Sequence, residues 1–283
     1  MGRISRGWAL TKQSWDVLKK DSSLLVFPIL ATIFSIIAAA AIWVPAAIVR
    51  GVFAGEAVNV NAHDPVIYIA GAATGYVSTF FAIFFNVALA ACAARSLRGE
   101  DTSVGEGLRA AMQRLGPIIG WSLVATTVGL ILQAIEERLP VVGRLLAWLG
   151  GLAWAITTFF VVPVVALEGT GPWQSLKRSA SIIKQKWGEG ATGAATIGVV
   201  TFLISFAIIV LGGVGAAMLF SIGLIPLGFV VVAIAVVAVI VVALISSALS
   251  QIFRVAVYEY AVSGVAPSGF DGQALENAFV FRR

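Results

Sequence analysis

The chain has 283 residues, of which 59% are hydrophobic and 12% are charged, whereas soluble chains have roughly 45–50% apolar and about 25% charged residues. Several apolar runs exceed the roughly 18 residues that a membrane-spanning helix needs. These runs are continuous rather than alternating, which excludes a transmembrane barrel. A single cysteine and a single histidine exclude an internal disulfide and a multi-histidine or multi-cysteine metal cluster. The sequence therefore predicts an all-α membrane protein without a cofactor.

The chain begins with a basic, tryptophan-bearing segment, "RGWALTKQSWDVLKK" at residues 6–20. At about 100° per residue, this segment predicts an amphipathic helix. Trp8 and Trp15 fall on the apolar face, and we place Lys12 and Lys19 on an opposite, wet face. A helix of this type lies in the membrane interface with its tryptophans at the level of the lipid headgroups.

Six spans follow, each read from a continuous apolar run. They are Leu24–Val49, Val66–Ala94, Pro117–Ile135, Val141–Leu167, Ala191–Phe220 and Leu227–Val262. The turn between the last two spans could lie at the glycines of residues 212–215 or at "SIGLIPLG", residues 221–228. We choose the second position because Pro226 suits the first turn of a helix.

The second span carries small and polar residues on one face. Gly71 and Gly75 form a GxxxG pattern, which lets helices approach closely, and Asn86 could form a hydrogen bond across such a contact. Helix packing is therefore the expected role of this face, and a polar pore lining is the alternative.

A weaker amphipathic segment occupies residues 104–115, where an apolar stripe is formed by Val104, Leu108, Met112 and Leu115. A stronger one, "PWQSLKRSASIIKQKW", occupies residues 172–187 and matches the first at an offset of 165 residues. Each of the three segments precedes two spans, which predicts three repeats at residues 4–94, 104–167 and 172–262 within one membrane domain, followed by a cytoplasmic tail at 263–283. Basic amphipathic helices beside spans are also common without a shared origin. The candidate lipid-interface residues are Trp8, Lys12, Trp15, Lys19, Trp173, Lys177 and Lys184.

The last span contains a polar stripe near its end. Polar groups inside a bilayer are costly, so each needs a partner or a watery cavity. A structural role, such as snorkelling of Arg254 to the interface, is one interpretation of this stripe. The stripe is also the candidate site for a ligand or an ion, together with Asn86 of the second span. Its members are Ser247, Gln251, Arg254 and Tyr258.

The positive residues predict the orientation of the chain. With a cytoplasmic N-terminus, only Arg50, Arg138 and Arg144 fall outside, so 16 of the 19 lysines and arginines lie inside. This bias follows the positive-inside rule. An even number of spans then returns the C-terminus to the cytoplasm.

The opening "RGWALTKQSWDVLKKDSSLLVFPIL" and the closing "IFRVAVYEYAVSGVAPSGFD" resemble the two ends of an uncharacterised family of prokaryotic integral membrane proteins of unknown function. More distantly, the helix-plus-hairpin pattern is similar to the membrane domain attached to some glycerophosphodiester phosphodiesterases, whose catalytic barrel has no counterpart here. The resemblance implies a membrane fold in a prokaryotic plasma membrane, and it implies no reaction.

No phosphate-binding loop, dinucleotide fingerprint or serine-elbow pattern occurs, and His63 is a lone histidine in the predicted outer loop 50–65. We therefore expect a non-enzymatic scaffold or lipid-associated assembly protein. Its expected partners are anionic membrane lipids and further copies of itself, and nucleic acid is not expected. The alternatives are a channel or transporter with a polar path along the last helix, and an intramembrane enzyme that acts on lipid.

Overall fold

A computed structural model describes residues 3–49, 65–138, 142–186, 191–270 and 272, and within these ranges every regular element is a helix. A short 3₁₀ turn, Ser22–Leu25, follows the first helix. The helices are α1 (Arg3–Lys20), α2 (Val26–Val49), α3 (Pro65–Leu97), α4 (Val104–Gln113), α5 (Leu115–Arg138), α6 (Val142–Thr157), α7 (Val161–Glu168), α8 (Pro172–Lys186), α9 (Ala191–Ser221) and α10 (Ile225–Ser263).

Six segments of the described chain are long and apolar enough to cross a membrane, which confirms the predicted all-α fold with six spans. They are Ser22–Val49, Pro65–Leu97, Leu115–Arg138, Val142–Glu168, Thr196–Ser221 and Ile225–Ser263.

The turn between the last two spans lies at residues 222–224, as predicted. Gly223 adopts a left-handed backbone with φ of 83°, which favours glycine, and a proline stands in the first turn of α10. Gly212, the rejected alternative, lies inside α9. A Cβ atom at Gly212 would stand 2.6 Å from the Cβ of Ala235, so this glycine allows α9 and α10 to pack closely.

The fourth span is interrupted, which corrects the single helix predicted for Val141–Leu167. It consists of α6 and α7, separated by residues 158–160. Pro163 has no N–H and favours a helix start over a helix interior. The freed backbone groups bond to α8, because Ser179 Oγ accepts from the Phe160 N–H at 3.1 Å and donates to the Thr157 carbonyl at 2.6 Å. The break is therefore satisfied inside protein, as non-helical backbone at membrane depth must be.

The chain forms two compact units. The first unit is drawn from Met1–Leu25, Ala93–Thr102 and Lys184–Arg283, and in it α1 packs against both α9 and α10. The second is drawn from Val26–Cys92 and Ser103–Ile183. The single membrane domain and its three repeats remain predictions, although the observed order of amphipathic helix and two spans recurs three times along the chain.

In the second unit, α4 approaches α3 through Gly107. A Cβ at this position would lie 2.6 Å from Phe27 Cζ, 2.7 Å from Cys92 Sγ and 3.0 Å from the backbone oxygen of Ala88. The backbone of α4 thus lies directly on buried side chains, and only glycine fits.

Candidate functional site

Helix α1 binds its own unit through a face that does not contain the tryptophans. Leu10, Ser14 and Val17 are buried, and their spacing places them on one side of the helix. Ser14 tolerates burial because its hydroxyl donates to the Leu10 carbonyl at 3.0 Å. Trp8 lies away from this buried face and is 56% exposed.

The lysines of α1 lie beside the tryptophans rather than opposite them, which corrects the predicted wet face. The Lys19 ammonium stands 5.5 Å from the centroid of the Trp15 ring. The two residues are one helical turn apart, as are Trp8 and Lys12, and side chains at that spacing are neighbours. An ammonium over an indole ring is stabilised by about 0.5–1 kcal/mol at exposed sites. The surface of α1 therefore combines aromatic and cationic groups on one side.

Helix α8 repeats this arrangement. Trp173 is 66% exposed, and the Lys177 ammonium lies 5.3 Å from its ring centroid. Lys184 is exposed as well. Among the described side chains of α8, the buried ones are Ser175, Ser179 and Ile182, which lie 165 residues after Leu10, Ser14 and Val17 of α1, whereas buried Leu18 corresponds to the partly exposed Ile183. The repetition of the two helices remains a prediction.

The middle amphipathic helix, α4, buries Gly107 and Ala111. Met112 of the predicted apolar stripe is exposed. As in α1 and α8, the buried face and the exposed apolar face of this helix differ. Hydrophobicity alone did not indicate which face the protein covers.

A groove runs between α1 and the α9–α10 hairpin, entirely within the first unit. Its volume is about 400 Å³. On one wall, Thr201 Oγ1 lies 2.6 Å from Ser246 Oγ and 2.8 Å from the Ile197 carbonyl, so these hydroxyl groups bond to each other and to backbone. The groove is lined by Trp8, Thr11, Lys12, Trp15, Val200, Thr201, Ile204, Val242, Ile245, Ser246 and Leu249.

The structure divides the predicted polar stripe of α10. Gln251 and Tyr258 are buried, Arg254 is partly exposed and Ser247 is exposed. Ser247 therefore does not share the environment of Gln251. The amide nitrogen of Gln251 has no hydrogen-bond partner among the described residues.

Asn86 belongs to the other unit and bonds within its own helix, where its Nδ2 donates to the Ala82 carbonyl at 2.8 Å. At the GxxxG pattern of α3, the close approach of a neighbouring helix that we predicted is not pronounced. Among the described residues, a Cβ at Gly71 would meet no atom within 4 Å, and one at Gly75 would be 4.0 Å from Thr126 Cγ2. Gly107, which does pack tightly, lies outside any GxxxG pattern.

Three chain segments meet in the first unit at a polar cluster that sequence reasoning missed. Thr102 Oγ1 donates to Asp21 at 2.5 Å, and the backbone N–H of Ser268 donates to the Leu97 carbonyl at 3.0 Å. Arg98 stands 3.9 Å from the Glu259 carboxylate. These contacts join the end of α1, the loop after α3 and the end of α10.

Two predicted features lie outside the described residues. They are most of the loop 50–65 with His63, and the tail beyond Gly272. In the parts of the chain that the structure does describe, no three His, Cys, Asp or Glu side chains are grouped so that they could hold a metal ion.

Comparison with known proteins supports the resemblance inferred from the sequence. Residues 66–270 match a family of unknown function (DUF6159). The match includes most of the quoted closing segment and leaves the opening one outside. No curated protein and no solved structure matches the chain, so the similarity to a phosphodiesterase membrane domain remains a prediction.

Proposed function

The chain belongs to DUF6159, a family of unknown function, and we propose that it is a non-enzymatic membrane protein that associates with anionic lipid at the inner surface of a prokaryotic plasma membrane. In this proposal α1 and α8 bind the lipid headgroups, and the protein acts as a scaffold that self-associates in the membrane. Nucleic acid is not among its partners.

The observation that carries the proposal is the pairing of an exposed lysine with a tryptophan ring on α1 and on α8. Lys19 and Lys177 each lie within 5.5 Å of the centroid of an indole ring. Tryptophan prefers the membrane–water interface, and each Lys or Arg near an anionic surface contributes about 1 kcal/mol of attraction. Two helices with this surface, each directly preceding spans, fit a headgroup layer better than they fit a soluble partner.

The polar cluster of the first unit supports the proposed orientation. It brings together the end of α1, the loop after α3 and the end of α10, and a topology of six spans with both termini inside puts all three on one side. The positive-inside rule then assigns that side to the cytoplasm.

Replacing Lys12, Lys19, Lys177 and Lys184 together by glutamine tests the proposal. We expect the preference of the purified protein for phosphatidylglycerol over phosphatidylcholine to fall at least about fivefold, the factor that 1 kcal/mol represents. Native mass spectrometry of protein from mild detergent measures both the bound lipids and the oligomeric state. The control is Arg138→Gln with Arg144→Gln, which removes outer cations and should leave the preference unchanged. A wild-type protein without any preference would overturn the proposal.

A channel or transporter remains the alternative, and one observation favours it. The Gln251 side chain is buried in α10, and its amide nitrogen lacks a partner among the described residues. A buried polar group of this kind marks a solute path in some transporters. Solute flux through reconstituted vesicles that Gln251→Leu abolishes would favour this alternative over a scaffold.

A further inference from the structure

The groove between α1 and the α9–α10 hairpin is larger than the gaps of a packed core. We infer that it holds one acyl chain of an anionic phospholipid, whose headgroup lies at Lys12. This inference rests on the proposed lipid association and adds to it a specific binding site for one lipid molecule. Bound lipid at this position would join the interfacial helix to the last two spans.

The lining of the groove favours an apolar chain. Its volume of about 400 Å³ lies within the range of roughly 300–1,000 Å³ typical of ligand pockets. The hydroxyl groups on its wall, Thr201 and Ser246, are bonded to each other at 2.6 Å. A polar substrate would therefore find few groups to bind, whereas a hydrocarbon chain would contact the aliphatic side chains of α9 and α10.

The charge at the groove favours an anionic headgroup. Lys12 lines the groove and is exposed, and α1 carries five basic residues and one acidic residue. Trp8 and Trp15 line the same wall. Each indole presents an N–H donor beside an apolar ring, a combination that suits the boundary between headgroup and acyl chain.

The surroundings and size of the groove favour lipid over another protein helix. Only 6% of the most apolar stretch of the fifth span, Thr196–Ser221, is buried, so α9 faces the acyl chains of a bilayer. A helix with side chains is about 10 Å across, and two of its turns would need about twice the volume of the groove. The groove is therefore too small for two turns of a docked helix, and a single acyl chain is the occupant that we infer.

Filling the groove tests the inference. Ile204 lines the groove and is 46% exposed, whereas Ile209 lies further along α9, is 57% exposed and does not line it. Both positions should accept tryptophan without loss of folding, which circular dichroism and monodisperse elution will verify. After delipidation and incubation with equal parts of phosphatidylglycerol and phosphatidylcholine, native mass spectrometry counts the tightly bound lipids. We expect Ile204→Trp to lose one bound phosphatidylglycerol and Ile209→Trp to retain it. Val242→Phe, on the facing helix, should also lose it.

The headgroup contact is tested separately by Lys12→Gln, which should keep one bound lipid but lose its preference for phosphatidylglycerol. If Ile204→Trp binds as many lipids as wild type, the groove is not a lipid site, while the surface association measured with the four-lysine variant still stands. If Ile204→Trp keeps its bound lipid but no longer associates with a second copy of the chain, the occupant of the groove is protein and the inference is overturned. If wild type shows no preference for phosphatidylglycerol, the proposed function itself fails.

Discussion

Gly107→Ala is expected to lower the free energy of unfolding by about 2–3 kcal/mol, because overpacking of a well-packed interior forces side chains and backbone to move. The new methyl group would stand 2.6 Å from Phe27 and 2.7 Å from the sulfur of Cys92. Both side chains are buried and cannot swing into solvent. The third contact, 3.0 Å to the Ala88 carbonyl oxygen, is backbone of α3 and can yield only if the helices separate.

Gly105→Ala is the matched control for this prediction. Gly105 lies in the same helix and is exposed, and no atom of the residues that the structure describes lies within 4 Å of its potential Cβ. Alanine here should stabilise the protein by up to about 1 kcal/mol, because it restricts the unfolded chain and favours helix. Thermal unfolding followed by circular dichroism in mild detergent compares the two variants. Equal shifts in both would show that α4 is not held against α3 through Gly107.

Ser179→Ala is expected to destabilise the protein by about 1–3 kcal/mol, the cost of leaving buried backbone groups without partners. The hydroxyl accepts from the Phe160 N–H and donates to the Thr157 carbonyl, so it joins both sides of the break between α6 and α7. Ser179 and Phe160 are fully buried, and water cannot readily replace the hydroxyl. The same unfolding measurement detects the loss.

Ser14→Ala provides the comparison, since Ser14 occupies the matching position of α1 at an offset of 165 residues and is equally buried. Its hydroxyl donates to the carbonyl of Leu10 in its own helix, a bond that contributes little to helix stability. We expect a change below about 0.5 kcal/mol. A loss as large as that of Ser179→Ala would mean that burial of the serine, rather than its bonds to the helix break, determines the cost.

The six spans could be predicted because hydropathy and length act locally, and a long apolar run favours helical structure whatever its neighbours. The break in the fourth span could not. Pro163 accompanies a break, yet Pro45 stands inside α2 without interrupting it. At the break in the fourth span, Ser179 satisfies the freed backbone groups from a helix later in the chain. A long-range hydrogen bond of this kind leaves no local signal.

The candidate site was predicted in part, since the residues of α1 and α8 were found but their faces were not. A helical wheel separates apolar from polar positions. It does not distinguish an apolar side chain that contacts protein from one that contacts lipid, because apolar residues are favoured in the protein interior and in the bilayer alike. Helix α1 buries Leu10 and Ser14 and leaves Trp8 exposed. Residues two positions apart on a helix point in different directions, so the sequence alone could not reveal the groove that Trp8 and Trp15 line.

The proposed association with the inner leaflet requires α1, α4 and α8 to lie on the cytoplasmic side, and cysteine labelling tests this most directly. Cys92, the single native cysteine, is buried. Labelling of each new cysteine can therefore be compared with the background labelling of the natural chain. We predict that Lys20→Cys, Gln113→Cys and Lys184→Cys react with an impermeant maleimide only after bacterial cells are permeabilised. Glu137→Cys and Ser221→Cys, both exposed and on the side that the proposed orientation places outside, should react in intact cells. Labelling of any of the first three in intact cells would contradict the account.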